Sequence, residues 1–394
     1  MNIQQNIINL TFILLSTLSS FAQIPKLTSS LNEYSFDLYK VIKNDYKNTF
    51  FSPISTYLAL SLAYEGAKSE TKCEFDKVLH VASNEMHNDI LKFINTSKIR
   101  IDSLTDLNIS NAIWIPENIK IERTYKDIIH SKYSAEVKSA DFSNKNKTVS
   151  EINQWVSIKT NDLINEIISP YDINEYTRII ITNAIFFIGK WANQFDKDLT
   201  KKDVFYSINK EKVQVDFMNQ TEYLNYYEND DFKFVCIPYK KNYKSFCIIL
   251  PKKRYGIFNT EMGFDKSLID TIFNNIDYLK VHLSIPKIKL KICYSLIEPL
   301  VQLGLKTPFT SRADFSGITL ESPLIINKIN HTAFFEIDEE KTVASAETIV
   351  SMMTGSVRGK AHKTKVFKAN HPFIFMILDN KTKMILFMGR YVKL

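Results

Sequence analysis

Two stretches, "NISNAIWIP" (Asn108–Pro116) and "TRIIITNAIFFIGKW" (Thr177–Trp191), are apolar and β-branched at successive positions rather than alternate ones. Side chains along a strand point to opposite faces in turn. A run apolar at nearly every position therefore predicts strands buried on both faces, with other layers above and below the sheet. Material for those layers is present. "LNEYSFDLYKVIKN" suits an amphipathic helix through Leu31, Tyr34, Phe36, Leu38, Tyr39 and Ile42. "SPISTYLALSLAYEG" reads as a helix with a Ser-Pro start and a Gly66 stop. "VSEINQWVSIKTNDLINEII" reads as a helix throughout, with Ile152, Trp155, Val156, Leu163 and Ile164 inward.

From Tyr223 onward strands dominate: "FKFVCIPY", "SFCIILP", "YLKVHLSIPKIKL", "LIINKINHTAFFEI", "HPFIFMIL" and "MILFMGRYV". Helices in the first half and strands in the second predict an α+β protein with mostly antiparallel sheets. The chain has 394 residues, 45% hydrophobic and 24% charged, enough for a large core.

The N-terminus carries an apolar core, Leu10 to Leu18, too short to span a bilayer, and Ser20-Phe21-Ala22 offers small residues for cleavage before Gln23. Residues 1–22 are expected to be a signal peptide and 23–394 an exported single domain, with no later run of membrane-spanning length. Export makes Asn95, Asn108, Asn146, Asn219 and Asn380, each in an Asn-X-Ser/Thr triplet, candidate glycan acceptors. Cys73, Cys236, Cys247 and Cys293 are too few and scattered for a disulfide scaffold. Cys236 and Cys247 flank a Lys-Asn turn and could face each other, but a chain of this length needs no staple, so free core thiols are expected.

The formal charge of +7 is spread thinly. Its densest patches are Lys252, Lys253, Arg254 and the run Arg358, Lys360, His362, Lys363, Lys365, Lys368. They read as a solvated face or as a footprint for a polyanionic glycan or acidic partner. Nothing resembles a nucleic-acid module. There is no G-x-S-x-G, H-E-x-x-H or G-x-x-x-x-G-K, and no two of the seven histidines fall at metal-binding spacing. An enzyme reading has no positive support and no cofactor is implied. His331, in the apolar run "IINKINHTAFFEI", is expected to be a hydrogen-bonded core histidine.

"DEEKTVASAETIV", Asp338 to Val350, places Thr342, Ala344, Ala346 and Thr348 at every second position. Period two with one small-residue face describes a strand able to slide beneath something else. The sequence that follows, "SMMTGSVRGKAHKTK", reads as an exposed loop.

Motifs along the chain now converge. "NTFFSPIS" resembles the N-x-x-x-S-P-x-S element of the serpins, through Asn48, Ser52, Pro53 and Ser55. "TNAIFFIGKWANQF" resembles their N-A-x-x-F-x-G-x-W segment, through Asn183, Ala184, Phe187, Gly189 and Trp191. "INQWV", "LSIPKIKL", "LGLKTPF", "ADFSGI", "HPFIF" and "LFMGR" follow the family's order, and "FFEIDEEKTVASAET" stands where its hinge, E-E-G-T-x-A-x-A-x-T, belongs. The resemblance covers Leu31 to Leu394.

That resemblance implies helices packed on three mostly antiparallel sheets, a monomer, and an exposed reactive loop at about 339–366. It implies a suicide inhibitor: a serine protease cleaves the loop, is trapped covalently, and is carried off as the loop inserts into a sheet. The hinge would comprise Glu339, Glu340, Lys341, Thr342, Ala344, Ala346 and Thr348, whose inward small residues avoid an overpacking or burial cost of order 1–3 kcal/mol each. Lys341 departs from the family's glycine and should stiffen the hinge; a spoiled hinge would leave a binding or carrier protein instead.

Two rulers place the scissile bond differently. Forward from Glu339, about seventeen residues or about 55 Å of extended chain reach Gly355-Ser356; backward from "VFKANHPF" the bond falls at Arg358-Gly359. Arg358 would fill the acidic pocket of a trypsin-like enzyme, and is favoured over Met352, Met353 or Thr354 as bait for other proteases. The resemblance also puts Glu339 beside Lys287 as an exposed pair worth ~0–1 kcal/mol, and has His331 bond to Ser52, Ser55 or Asn183, with Trp191 nearby.

Overall fold

The computed structural model describes residues 27–99, 105–339 and 363–393. The expected signal peptide, the hinge from Glu340 to Thr348 and both candidate scissile bonds lie outside them.

A first helix, α1 (27–42), leads to β1 (Thr49–Phe51) and α2 (Pro53–Gly66). Ser52 caps α2, its Oγ accepting from the Ser55 N–H, and Pro53 sits at the first helical position, where a missing N–H costs nothing. All of α2 but Glu65 is buried, so it is a core helix rather than an amphipathic one. Then come α3 (Ser69–Val78), α4 (Asn84–Ile99), β2 (Thr105–Pro116), α5 (Arg123–Tyr133), β3 (Glu136–Ala140), α6 (Lys145–Lys159) and β4 (Ile179–Gly189). The second half adds β5 (Lys201–Tyr206), β6 (Lys212–Glu228), β7 (Phe232–Pro238), β8 (Lys244–Pro251), α7 (Ile257–Met262), α8 (Lys266–Asn274), β9 (Asp277–Pro286), β10 (Ile288–Ser295), α9 (Ile297–Gln302), β11 (Ile326–Ile337), β12 (Lys365–Lys368), β13 (Phe373–Asp379) and β14 (Ile385–Tyr391).

One sheet runs β10-β11-β4-β2-β3. The other runs β1-β14-β13-β8-β7-β6-β9-β12, with β5 also on β6. Among the described residues, pairing thus counts two sheets where the resemblance implied three. The seventeen-residue β6 is the reason: it pairs with β9 over Phe217–Tyr226 and with β7 over Asn225–Glu228, so two sheets share one strand.

The first nine residues of β4 are buried, and two cores explain it. On one face Ile152, Trp155 and Val156 of α6 pack with Trp114, Ile180, Phe186 and Phe334. On the other, the Phe50 ring stacks on Phe335 of one sheet and on Phe375 and Phe387 of the other. Gly389 of β14 has no room for a side chain: a Cβ there would lie 2.3 Å from the Thr49 carbonyl oxygen of the neighbouring β1 and 2.7 Å from the Phe375 ring.

Two expectations are corrected. The α6 helix ends at Lys159, so Leu163 and Ile164 are not helical: Asn161 and Asp162 take positive φ, while Thr160 Oγ1 donates to Val156 O and accepts from the Ile164 N–H. Cys236 and Cys247 are disulfide-bonded rather than free, because the antiparallel β7–β8 register sets them directly opposite, Cα–Cα 4.1 Å. Cys73 and Cys293 are free and exposed.

Candidate functional site

The strands β11 and β4 lie side by side at the centre of the five-stranded sheet and run parallel, with His331 opposite Asn183 and Phe335 opposite Phe187. Their other partners in that sheet, β10 and β2, are antiparallel to them. A segment leaving the C-terminal end of β11 and folding back would run antiparallel to both β11 and β4. Placed in this joint, such a strand would be antiparallel to both neighbours, exchanging one parallel pairing for two antiparallel ones, which are slightly stronger per residue.

Three sets of contacts hold the joint closed. At mid-height lies His331, fully buried. Its Nε2 accepts the Ser52 backbone N–H at 3.2 Å, so the proton sits on Nδ1, which donates to Asn183 Oδ1 across the joint. Burial pushes the imidazole pKa down to about 3, so it is neutral through the physiological range. Asn183 Nδ2 in turn donates to Ser55 Oγ at 2.6 Å and to Asn111 Oδ1 at 2.6 Å. Ser52 Oγ donates to Leu386 O, which joins this network to β14.

At the top, Trp191 stacks on Tyr239 with centroids 4.8 Å apart, and its Nε1 donates to Asp338 O at 2.8 Å. Glu339 follows directly. Its carboxylate accepts from Lys287 Nζ at 2.9 Å and from Thr200 Oγ1 at 2.5 Å, and its carbonyl accepts the Phe195 N–H. The expectation of an exposed pair is corrected: the Glu339 side chain is 4% exposed, because the β4–β5 connection folds over it, while Lys287 is 39% exposed. Burial works against the charged carboxylate, but the hydrogen bonds from Thr200 and Lys287 outweigh it and hold the pKa below the ordinary value.

A depressed carboxyl pKa stabilises the fold above the unfolded value, and that stabilisation is lost as pH falls from 4.5 through the folded value. Acidification below pH 4.5 is therefore expected to free the top of β11, read as lost amide-exchange protection at Asp338 and Glu339, measured against the intrinsic exchange rate at each pH. Lys287→Met should raise exchange already at pH 6 and flatten the pH dependence; the same steep dependence in that variant would refute the assignment.

The third set lies across the face of β11. Asn330 Nδ2 donates to Ile167 O at 2.6 Å and Lys328 pairs with Asp172, so the connection after α6 straps the joint.

Sequence reasoning singled out Ser52, Ser55, Asn183, Trp191, Lys287, His331 and Glu339, and the fold brings them to this joint. It missed Asn111 and Thr200. Asn111 is a polar residue inside an apolar run, a signal that was readable. Thr200 has none, since nothing local ties it to Glu339.

The candidate glycan acceptors differ in availability. The side-chain amides of Asn95, Asn108, Asn219 and Asn380 donate to the carbonyls of Lys132, Lys159, Leu199 and Asn242. Asn146 on α6 is exposed. Of the basic run, Lys365 pairs with Glu228 and Lys368 with Asp203, and Lys252 lies 3.9 Å from Glu228. Arg254 stacks over Tyr206.

Among known proteins, the family whose profile matches is Serpin (serine protease inhibitor), over residues 29–394. A serpin-like protein of Methanosarcina mazei is 36% identical over 380 residues, covering 92% of this chain and 86% of the relative. The leukocyte elastase inhibitor of Xenopus tropicalis is 32% identical over 377 residues, covering 93% and 98%. The thermophilic serpin tengpin in its native state superposes with a TM-score of 0.83 at 30% identity, covering 94% of each chain.

Proposed function

Because the chain belongs to the serpin family, we propose that it is a secreted suicide-substrate inhibitor of a trypsin-like serine protease. The protease serine attacks the carbonyl carbon of Arg358, the Gly359 amine leaves, and the acylated protease is carried off as the freed segment enters the sheet. Serpins are generally protease inhibitors rather than enzymes.

One observation carries the reading. The β11–β4 joint is parallel, and the hinge segment begins at Glu339, two residues after β11 ends at Ile337. The small inward face of Thr342, Ala344, Ala346 and Thr348 suits a strand received between apolar neighbours. Secretion is supported by the apolar N-terminal segment and by the Cys236–Cys247 bond, which persists in oxidising compartments. Asn146, with its exposed amide, is the acceptor best placed for a glycan. A polyanion would have fewer free cations to hold than the sequence suggests, since Lys365 and Lys368 are paired within the fold.

The test is incubation with trypsin, followed by a denaturing gel and mass spectrometry of the released peptide. A complex that survives denaturant, with a new N-terminus at Gly359, is the expected result. Cleavage at Arg358 without a complex would remove the inhibitor reading. Melting the cleaved protein then separates two causes. A large rise in melting temperature means insertion occurs too slowly, which implicates Lys341 in the hinge. No rise means a binding or carrier protein.

A further inference from the structure

Four of the exposed apolar side chains, Leu199, Tyr223, Tyr278 and Val366, fall on one face of the nine-stranded sheet. The register explains the grouping. Thr221 and Tyr223 of β6 alternate outward opposite His282 and Lys280 of β9, and Val366 of β12 pairs with His282 on the same side. Tyr223 and Tyr278 stack with centroids 5.8 Å apart and ring planes at 29°, though they are 58% and 68% exposed. Beside them lies an open depression of about 570 Å³, lined in part by Leu199, Asn219, Thr221, His282 and Val366. Two large rings left stacked in water are unusual on a surface with no occupant, and tyrosine is the residue type most often found at the energetic centre of protein–protein contacts.

The place of this face in the fold says what would cover it. The strand β12 pairs parallel with β9, Lys365 opposite Val281, so the chain enters β12 from the end of the sheet that carries Lys280 and Tyr278. Arg358 precedes Lys365 by seven residues, a reach of at most about 25 Å. A trypsin-like domain is roughly 45 Å across by the size scaling of compact domains. A protease holding Arg358 in its active site therefore overhangs the sheet beside the point where the loop rejoins it.

We propose that the Tyr223–Tyr278 face is a docking surface for the body of the target protease, an extra contact that raises the rate of encounter before the loop is cut. The inference rests on the inhibitor reading above and adds a surface to it. Lys280 and His282 beside the rings fit a partner rim with acidic groups.

The test compares the full chain with Tyr223→Ala/Tyr278→Ala, using trypsin as the probe. The rate constant for covalent complex formation is expected to fall about tenfold, as for loss of a small hot spot. The number of inhibitor molecules consumed per protease should stay the same, because insertion is untouched. Tyr223→Phe/Tyr278→Phe should keep the wild-type rate, and coincident melting curves would show that all three proteins fold alike. An unchanged rate in the alanine variant would overturn the proposal. Should the wild-type chain form no covalent complex, the inhibitor reading fails by itself, and the face is read separately with trypsin whose catalytic serine is replaced by alanine. Weaker binding by the alanine variant then supports the surface; equal binding overturns it. Normal protease docking with lost heparin binding would reassign the face to a glycan, which also overturns it.

Discussion

His331→Ala is expected to lower the stability of the intact protein by about 2–4 kcal/mol, combining a cavity with the loss of two buried hydrogen-bond partners. The backbone N–H of Ser52 and the Oδ1 of Asn183 would be left without the imidazole, in a site no water reaches easily. The more informative expectation concerns the cleaved form. A strand inserted between β11 and β4 separates them by two inter-strand spacings, roughly 9.5 Å, which no His331–Asn183 hydrogen bond can span. The bond across the joint thus stabilises the closed sheet alone. The variant should melt earlier when intact, polymerise faster on mild heating, and lose clearly less stability once cleaved. Equal losses in the two forms, measured by denaturant unfolding of each, would mean that His331 acts as ordinary core packing and not as a latch. Neutrality of the imidazole implies that this latch is insensitive to pH until well into the acid range.

The second large effect concerns a buried ion pair anchored on β14. Glu261→Ala is expected to cost about 3–5 kcal/mol, the usual result of leaving one charge of a buried pair without its partner. Arg390 on β14 is fully buried and its Nη1 lies 3.2 Å from Glu261 Oε2, the Glu261 side chain being 2% exposed. Tyr39 donates its hydroxyl to the same carboxylate at 2.6 Å, and Lys43 approaches within 3.7 Å. Without Glu261 the guanidinium keeps the Asp45 carbonyl and the Phe258 ring, neither of which cancels its charge. Replacing both, as Glu261→Leu/Arg390→Met, should recover most of the loss, since well-packed apolar groups often match a buried pair. Equilibrium unfolding of the three proteins checks this. A loss below about 1 kcal/mol in the single variant would show that water reaches the guanidinium.

Much of the architecture was readable because it is written in short-range pattern. The unbroken apolar run of β4 requires cover on both faces, and the two cores supply it. The Ser-Pro start of α2 and its Gly66 end are local chemistry, and the structure places both. The boundary of α6 was misread because apolar spacing continued past Lys159, whereas Asn161 and Asp162 adopt a left-handed backbone that periodicity does not register. The site was legible only in part. His331 stood out as a polar residue in an apolar run, while Ser52 and Asn183 were singled out through the family motifs, which also supplied the grouping.

By itself the sequence determined the α+β class, the two-faced burial of the central strands and membership in the family, because these depend on residue order within tens of residues and on motifs kept in sequence. Tertiary structure alone decided which strands meet. The parallel β11–β4 joint pairs segments about 150 residues apart, as in His331 with Asn183. The Cys236–Cys247 bond follows from the β7–β8 register, and Glu339 is buried because the connection from β4 to β5, which links the two sheets, folds over it. The Arg390–Glu261 pair joins residues 129 positions apart. Register and burial are set by packing among whole layers, and no local pattern encodes the partner that a distant strand will present.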